Sequence, residues 1–358
     1  MNRLNIILLT GLALAGFTAC DDAPAEATPQ ENRQPPMITA TDVAFAPAST
    51  VESGSIDLAT LTNDLQDSVA LLNITKLENL ADGYALVPVI EFAASDNFEK
   101  TGSVSCDVRN DVAYAAIADL NSAYATIFGY TNETKTVYMR TIATTEYEGS
   151  DGTAVAVIGS SDNYYAPSQF TLTPDLMLRL YVPMSTTGYD HTAAQALQTN
   201  DGQNYWGYVN VTGDFYFTNG REGQLQQRWD GGGQVLSGDP IGIRIDASGC
   251  VWMSYNITDG KLSTTAITTY GVIGDLPGNN WSSSVALTPN ANDPLVWTGK
   301  VTFGSGEWKF RANDGWDINL GGSLTDLLPG GDNIQSPGAG EHNVTLDLSK
   351  IPYTALIQ

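Results

Sequence analysis

The chain has 358 residues, with 40 Asp or Glu against 16 Lys or Arg, so its formal net charge is −24. A surface this acidic argues against nucleic acid and anionic lipid headgroups as partners. Low charge density (16% charged residues) together with many Gly and Tyr residues favours an all-β protein.

The N-terminus has the organisation of an exported lipoprotein. Residues 1–19 contain a positive residue, Arg3, a short apolar stretch from Leu4 to Leu14, and small residues leading to Cys20. The stretch is too short for a stop-transfer helix and is typical of a signal peptide. Cys20 is therefore predicted to carry several acyl chains, which make a stable anchor. The alternative is an ordinary cleaved signal that happens to contain Cys.

The lipidated Cys and the residues after it, 20–36, are predicted to form a flexible tether, because Ala23 to Pro36 contains four Pro and no aromatic residue. Residues 37–175 contain no Trp and are predicted to form an Ig-like or fibronectin-like sandwich. Strands are expected at 68–74 and 136–142, and a short helix within 111–128. Cys106 and Cys250 fall in different predicted domains, so we expect buried free thiols rather than a disulfide.

From residue 176 onward one pattern occurs twice, which predicts two tandem β-sandwich modules, 176–265 and 266–358. Each copy has an opening strand, a loop with an aromatic residue (Tyr189 or Trp281), a Trp-bearing strand and an aromatic strand. Each then has a Trp in a Gly-rich loop, which is Trp229 in the first copy and Trp316 in the second. A closing strand completes the copy.

Strand alternation separates the core Trp residues from those that can face a ligand. Trp297 and Trp308 alternate with polar residues and are expected in the core. Trp281 and Trp316 lie in polar loops with few apolar neighbours, so their exposure needs an explanation. An indole can stack on the apolar C–H face of a sugar, contributing about 1 kcal/mol by analogy with aromatic pairs. The alternative is that both residues tuck under their own loops as small satellite cores.

The sequence from Glu307 to Gly322, with Gly274 to Trp281 before it and Gly330 to Ile334 after it, resembles the repeated module of SusE/SusF-type outer-membrane starch-binding lipoproteins. The resemblance extends along nearly the whole chain and implies an Ig-like N-terminal domain followed by carbohydrate-binding modules. It implies surface export for the acidic pair Asp21 and Asp22, an outer-membrane location, and partnership with a SusC/SusD-type importer.

A more distant similarity to starch- and glycogen-binding modules implies that the ligand positions are Trp281, Lys309, Trp316 and Asn333. These roles are chemically coherent, because an ammonium donates to hydroxyls and an amide can donate and accept at once. The first module departs from the pattern: Tyr216 falls where the Lys should be, and Pro240 near the Asn. We therefore expect a weaker or differently selective second site at Tyr189 and Trp229, with Arg228 as a substitute donor; the alternative for Arg228 is a solvated surface side chain.

The sequence does not point to an enzyme. With so many carboxylates some pair will satisfy any loose search, and none lies in an apolar motif that would raise its pKa. His191 and His342 are far apart with no nearby Cys, so neither a metal nor a cofactor is expected. Three hypotheses remain: capture of an α-glucan such as starch, capture of another glycan such as laminarin, and a structural lipoprotein or adhesin with vestigial sugar sites.

Overall fold

The computed structural model describes residues 38–149, 152–158 and 163–358. The signal peptide 1–19, the lipidation residue Cys20 and the tether 20–36 lie outside these residues. Strands dominate what is described, and the predicted all-β fold class is confirmed.

The strands between residues 43 and 173 form a sandwich. Its elements are β1 (Val43–Pro47), α1 (Ser49–Glu52), β2 (Ser55–Asp57), α2 (Leu58–Asn63), β3 (Ser68–Leu77), β4 (Tyr84–Ala93), β5 (Thr101–Ser105), β6 (Asp107–Arg109), β7 (Val112–Ala116), α3 (Ile117–Phe128), β8 (Lys135–Gly149), β9 (Gly152–Val157) and β10 (Tyr165–Thr173). One sheet has the order β1-β3-β7-β6 and the other β2-β10-β8-β4-β5, with β9 beside β8. The strands expected at 68–74 and 136–142 are present as parts of β3 and β8.

The helix expected within 111–128 is α3, which begins at Ile117, directly after β7. Its buried residues recur every three or four positions, so one face of the helix joins the sandwich core. The helix lies close to β5, because a Cβ placed on Gly102 would come within 2.7 Å of the Ala123 carbonyl oxygen. Glycine at this position allows the approach. Cys106 and Cys250 are free and buried, as expected, and burial raises the pKa of both thiols to about 12.

Two β-sheets with the same order of eight main strands follow, and the second has two further short strands, β20 and β26. The first repeat is defined by β11 (Arg179–Val182), β12 (Gln195–Gln198), β13 (Asn204–Val211), β14 (Phe217–Thr218), β15 (Arg228–Asp230), β16 (Gly233–Val235), β17 (Gly249–Asn256) and β18 (Leu262–Ala266). The second repeat is defined by β19 (Tyr270–Leu276), β20 (Asn279–Asn280), β21 (Val285–Pro289), β22 (Val296–Phe303), β23 (Glu307–Ala312), β24 (Asn319–Ser323), β25 (Asp326–Pro329), β26 (Ile334–Gln335), β27 (Gly340–Asp347) and β28 (Thr354–Ile357).

The sheet orders are β16-β15-β14-β11-β12-β13-β17-β18 and β25-β24-β23-β19-β21-β22-β27-β28, which match strand for strand. The cross-strand register extends the match to single residues. Met184 pairs with Phe215 as Gly274 pairs with Trp308. Phe215 in turn pairs with Ile243 as Trp308 pairs with Ile334. Equivalent positions in the two repeats can therefore be compared directly.

The repeats are joined through an aromatic interface on the outer face of β13 and β17. Tyr208 is fully buried there, its hydroxyl lies 2.7 Å from that of Tyr270, and its backbone N–H donates to the Tyr353 hydroxyl at 3.0 Å. Trp206 stacks on Trp252 with ring centroids 5.6 Å apart. Aromatic burial of this kind fixes one repeat against the other.

Candidate functional site

The aromatic strand β23 has one core face and one polar face. Trp308 and Phe310 are buried in the core of the second repeat, as is Trp297 on β22, so the core assignment from strand alternation is confirmed. Glu307, Lys309 and Arg311 alternate with them and face the other way. This polar face carries the candidate site.

The loop after β20 presents Trp281 beside this face. The backbone N–H of Trp281 donates to the Gly274 carbonyl at 2.9 Å, and the loop is closed by Asn279, whose side-chain oxygen accepts from the Ser283 N–H at 3.0 Å. Trp281 has φ +54°, a left-handed conformation that costs energy for a bulky residue. The surrounding hydrogen bonds hold the indole in a position that the chain would not adopt by itself.

A tight turn between β23 and β24 presents Trp316. Asn313 and Asp314 both adopt φ +51°, and the Ala312 N–H donates to the Ile318 carbonyl at 2.9 Å across the turn. The side chain of Trp316 is 50% exposed. The satellite-core alternative therefore does not apply to Trp316, because half of its surface remains in water.

The structure brings the two loop indoles together. The ring centroids of Trp281 and Trp316 lie 6.1 Å apart, and their planes are tilted by 30°. Trp281 itself is half-buried. Two rings at this tilt form a bent rather than a flat aromatic surface.

Arg311 lies below this surface and contacts both loops. Its Nε donates to the Ser284 hydroxyl at 2.9 Å, and its Nη2 lies 3.5 Å from the Asp314 carboxylate. The guanidinium carbon is 5.1 Å from the centroid of the Trp316 ring, which is a cation–π contact. Arg311 is only 7% exposed, so its role is to position the loops rather than to meet a ligand.

Lys309 is the next polar residue along β23. Its ammonium lies 3.3 Å from the side-chain oxygen of Asn319, and the Asn319 amide donates to the Trp316 carbonyl at 2.8 Å. Asn319 thus links the lysine to the loop that carries Trp316. An ammonium has three donors, so Lys309 keeps donors for a ligand.

Asn333 immediately precedes β26, which pairs with Glu307 and Trp308, so the register places it next to Lys309. Its amide donates to one Glu307 oxygen at 2.9 Å, and the Gln335 amide donates to the other at 2.6 Å. Glu307 therefore orients the side-chain amide of Asn333 and leaves its side-chain oxygen, Oδ1, as an acceptor. Trp281, Lys309, Trp316 and Asn333 all lie on or beside the polar face of β23.

The first repeat carries a reduced version of this arrangement. Tyr189 occupies the position of Trp281: it also has a left-handed backbone (φ +61°), and its N–H donates to the Met184 carbonyl at 2.9 Å. Tyr216 occupies the position of Lys309, and its ring stacks on Tyr189 with centroids 5.3 Å apart at 29°. Burial raises the pKa of the Tyr216 phenol, while nearby Arg228 opposes the rise.

One expectation for the first repeat was wrong. Trp229 does not lie in an exposed loop: it is in β15, pairs with Phe217 and is 4% exposed, because it takes the core position of Leu320 in the second repeat. The Asn position is taken by Gly242, which lies close to Pro240 and directly before Ile243, the equivalent of Ile334. Arg228 occupies the position of Asn319, and its guanidinium donates to the Gly238 carbonyl at 3.0 Å and lies 3.6 Å from Asp239.

No aromatic residue replaces Trp316 in the first repeat. The corresponding loop, residues 219–227, contains Arg221, which forms an ion pair with Asp175 of the linker from the N-terminal sandwich. The same linker is held by Asn121 and Asn132, whose side chains bond to the backbone of Asp175 and Leu176. This loop serves a contact within the protein instead of an exposed surface.

Sequence reasoning missed the residues that support the two indoles. Strand alternation predicts that Arg311 lies on the polar face, but nothing in the sequence indicates that it contacts both loops. Asn279 and Asn319 are short amide residues in loops or at strand ends, where such side chains commonly bond to the backbone. Their position in the sequence is the feature from which this supporting role could have been predicted.

Within residues 38–149, 152–158 and 163–358, no group of three or more His, Cys, Asp and Glu could hold a metal ion. In the same part of the chain, no helix has the length and apolar character needed to cross a membrane.

No protein-family model matches the chain, and no curated protein matches it. Among solved structures, the crystal structure of SusF from Bacteroides thetaiotaomicron is similar with 17% sequence identity and a TM-score of 0.33. The similarity covers 88% of this chain and 76% of that chain. At this identity and TM-score, the function must be inferred from the geometry of the site.

Proposed function

We propose that this protein binds polysaccharide without transforming it, and that the second repeat holds the ligand at Trp281, Lys309, Trp316 and Asn333. The observation that carries the proposal is the pair of indoles 6.1 Å apart, with Trp316 half exposed in an otherwise polar loop. A pair of indoles, one half-exposed and one half-buried, flanked by an ammonium and an amide, matches a ligand with apolar faces and hydroxyl edges.

The ligand is proposed to be a neutral glycan, namely starch or a related α-glucan. A chain with a net charge of −24 repels polyanions, while a neutral sugar is held by directional hydrogen bonds and ring stacking. The 30° tilt between the indoles suits a polymer that bends from one sugar to the next. An α-glucan has such a bend.

The proposed role is non-catalytic. Glu307 carries a carboxylate on the polar face of β23, and both of its oxygens accept from amides, those of Asn333 and Gln335. A glycosidase needs two carboxylates on either side of the bond that is cleaved, one of them free to donate a proton. Glu307 is instead placed to orient Asn333.

The cellular setting follows from the sequence. The signal peptide 1–19 and Cys20 support an outer-membrane lipoprotein, and the tether 20–36 would hold the repeats away from the lipid. The resemblance to SusE/SusF-type lipoproteins supports display at the cell surface and delivery of glycan to a SusC/SusD-type importer.

Affinity electrophoresis tests the proposal against its alternatives. The protein is run in native gels containing amylopectin, laminarin or no polysaccharide. Retardation in amylopectin alone is expected, and loss of retardation is expected for Trp316→Ala, because one stacking surface is removed. Retardation in laminarin alone would assign the site to another glycan.

Leu356→Ala is the matched control, since Leu356 is a large, exposed apolar residue (54%) of the same repeat but lies on β28, away from the indoles. It should migrate as the unaltered protein does. Unchanged migration of the unaltered protein in every gel would contradict the proposal and favour a structural lipoprotein or adhesin.

A further inference from the structure

A cavity of about 570 Å³ lies between the N-terminal sandwich and the first repeat. It is lined from the sandwich side by residues of α3 and from the repeat side by the start of β11 and the 219–227 loop. Its volume is within the range of small-molecule sites, which often occur where domains meet. It is separate from the Trp281 and Trp316 surface.

Arg179 lines this cavity, and among the described residues it forms neither an ion pair with a carboxylate nor a cation–π contact. Each other arginine of the described residues has a carboxylate or a ring beside it: Arg109 with Tyr114, Arg140 with Glu91, Arg221 with Asp175, Arg228 with Asp239, Arg244 with Asp214, and Arg311 with Asp314. Among these residues, the hydrogen bond of the Arg179 side chain is to the Leu178 carbonyl, at 3.0 Å from Nη1. One of five N–H donors is therefore engaged.

The absence of a carboxylate is unusual in so acidic a chain. Burial lowers the pKa of the Arg179 guanidinium, with the phenols of Tyr181 and Tyr353 nearby. A partly buried charge without a counter-charge destabilises the folded protein. A residue kept in this state is a candidate for binding an anion.

The other polar groups of the cavity divide into engaged and free ones. Asp175 is paired with Arg221, and the amides of Asn121 and Asn132 are occupied by the linker backbone. The side-chain amides of Gln224 and Gln227 also line the cavity, and neither makes a hydrogen bond within the described residues. Such amides can donate to and accept from vicinal hydroxyls.

We infer that this cavity is a second, independent binding site for a monosaccharide-sized ligand that bears a carboxylate, such as a hexuronate. The carboxylate would pair with the guanidinium fork of Arg179, and the hydroxyls with Gln224 and Gln227. The ligand would supply the counter-charge that the described residues do not provide. The site does not depend on glycan binding by the second repeat.

Isothermal titration calorimetry of the folded protein with sodium glucuronate tests the inference, with glucose and sodium acetate as comparison probes. Saturable binding of one glucuronate is expected, with at least tenfold weaker binding of both comparison probes. Arg179→Gln should weaken glucuronate binding at least tenfold. Arg244→Gln should leave it unchanged, because Arg244 is exposed and does not line the cavity.

Two results would overturn the inference. One is glucuronate binding that is absent or that persists in Arg179→Gln. The other is a clearly lowered melting temperature of Arg179→Met, since removal of an unpaired charge should leave the melting temperature unchanged or raise it; a fall would assign Arg179 a structural role at the Leu178 carbonyl. Trp316→Ala should bind glucuronate normally, so failure of the polysaccharide proposal and failure of this one are distinguishable.

Discussion

The two repeats have the same strand order and the same register, but they use equivalent positions differently. On the polar face, Lys309 and Asn333 of the second repeat are replaced by Tyr216 and Gly242 of the first. On the outer face of the paired strands, the aromatic residues of the first repeat are replaced by polar ones such as Lys300, which occupies the position of Tyr208. One fold thus provides the proposed binding surface in one copy and packing contacts in the other.

The loop between β23 and β24 and its equivalent between β14 and β15 show the difference most clearly. In the second repeat this loop carries Trp316 into solvent, braced by Arg311. In the first repeat Thr218 replaces Arg311, and the loop is committed to Asp175 through Arg221. The comparison indicates that the exposure of Trp316 depends on the side chains that support its loop as much as on the strands beneath it.

The largest expected effect is on the free energy of unfolding, and it distinguishes Trp229 from Trp316, which the sequence analysis places in equivalent loops. Trp229→Ala should lower the free energy of unfolding by about 3–5 kcal/mol, because it leaves a large cavity in the core of the first repeat. Trp316→Ala should change it by less than about 0.5 kcal/mol, since the side chain is half exposed. Urea denaturation followed by circular dichroism measures both changes. Equal losses of unfolding free energy would contradict the assignment of Trp229 to the core and of Trp316 to the surface.

The next effect compares the aromatic residues at equivalent left-handed positions. Trp281→Ala should weaken binding of maltoheptaose by about fivefold to tenfold, because about 1 kcal/mol or more of stacking is lost. Tyr189→Ala should weaken it by less than about twofold, because Tyr189 has neither a second exposed indole nor a lysine beside it. Titration calorimetry measures both changes. A larger effect of Tyr189→Ala would move the principal site to the first repeat.

The smallest effect is expected at Arg311, which contacts the loops of both indoles. Arg311→Leu should weaken maltoheptaose binding by about threefold, since both loops lose a common partner and the tilt between the indoles is no longer fixed. The matched change in the first repeat, Thr218→Val, should leave binding unaltered. If tryptophan fluorescence and affinity are unchanged in Arg311→Leu, the loops hold their geometry without it.

Much of the candidate site could be predicted from the sequence because its residues lie on or next to strands with clear alternation. Trp308 and Phe310 mark the core face of β23, so Lys309 is assigned to the opposite face. Trp281 and Trp316 are identified by the polar loops around them. The same reasoning failed for Trp229, because a Gly-rich neighbourhood suggests a loop, whereas β15 is a short strand whose pairing with Phe217 is a long-range property.

The sequence by itself determined the all-β class, the free buried thiols, and the core positions of Trp297 and Trp308, since alternation and composition are local properties. Only the tertiary structure decided that two indoles separated by 35 positions lie 6.1 Å apart, that Arg311 contacts both of their loops, and that Arg179 lines a cavity and forms no ion pair among the described residues. These features arise from cross-strand register and from the packing of one repeat on its neighbours. Neither is encoded in any short segment of the chain.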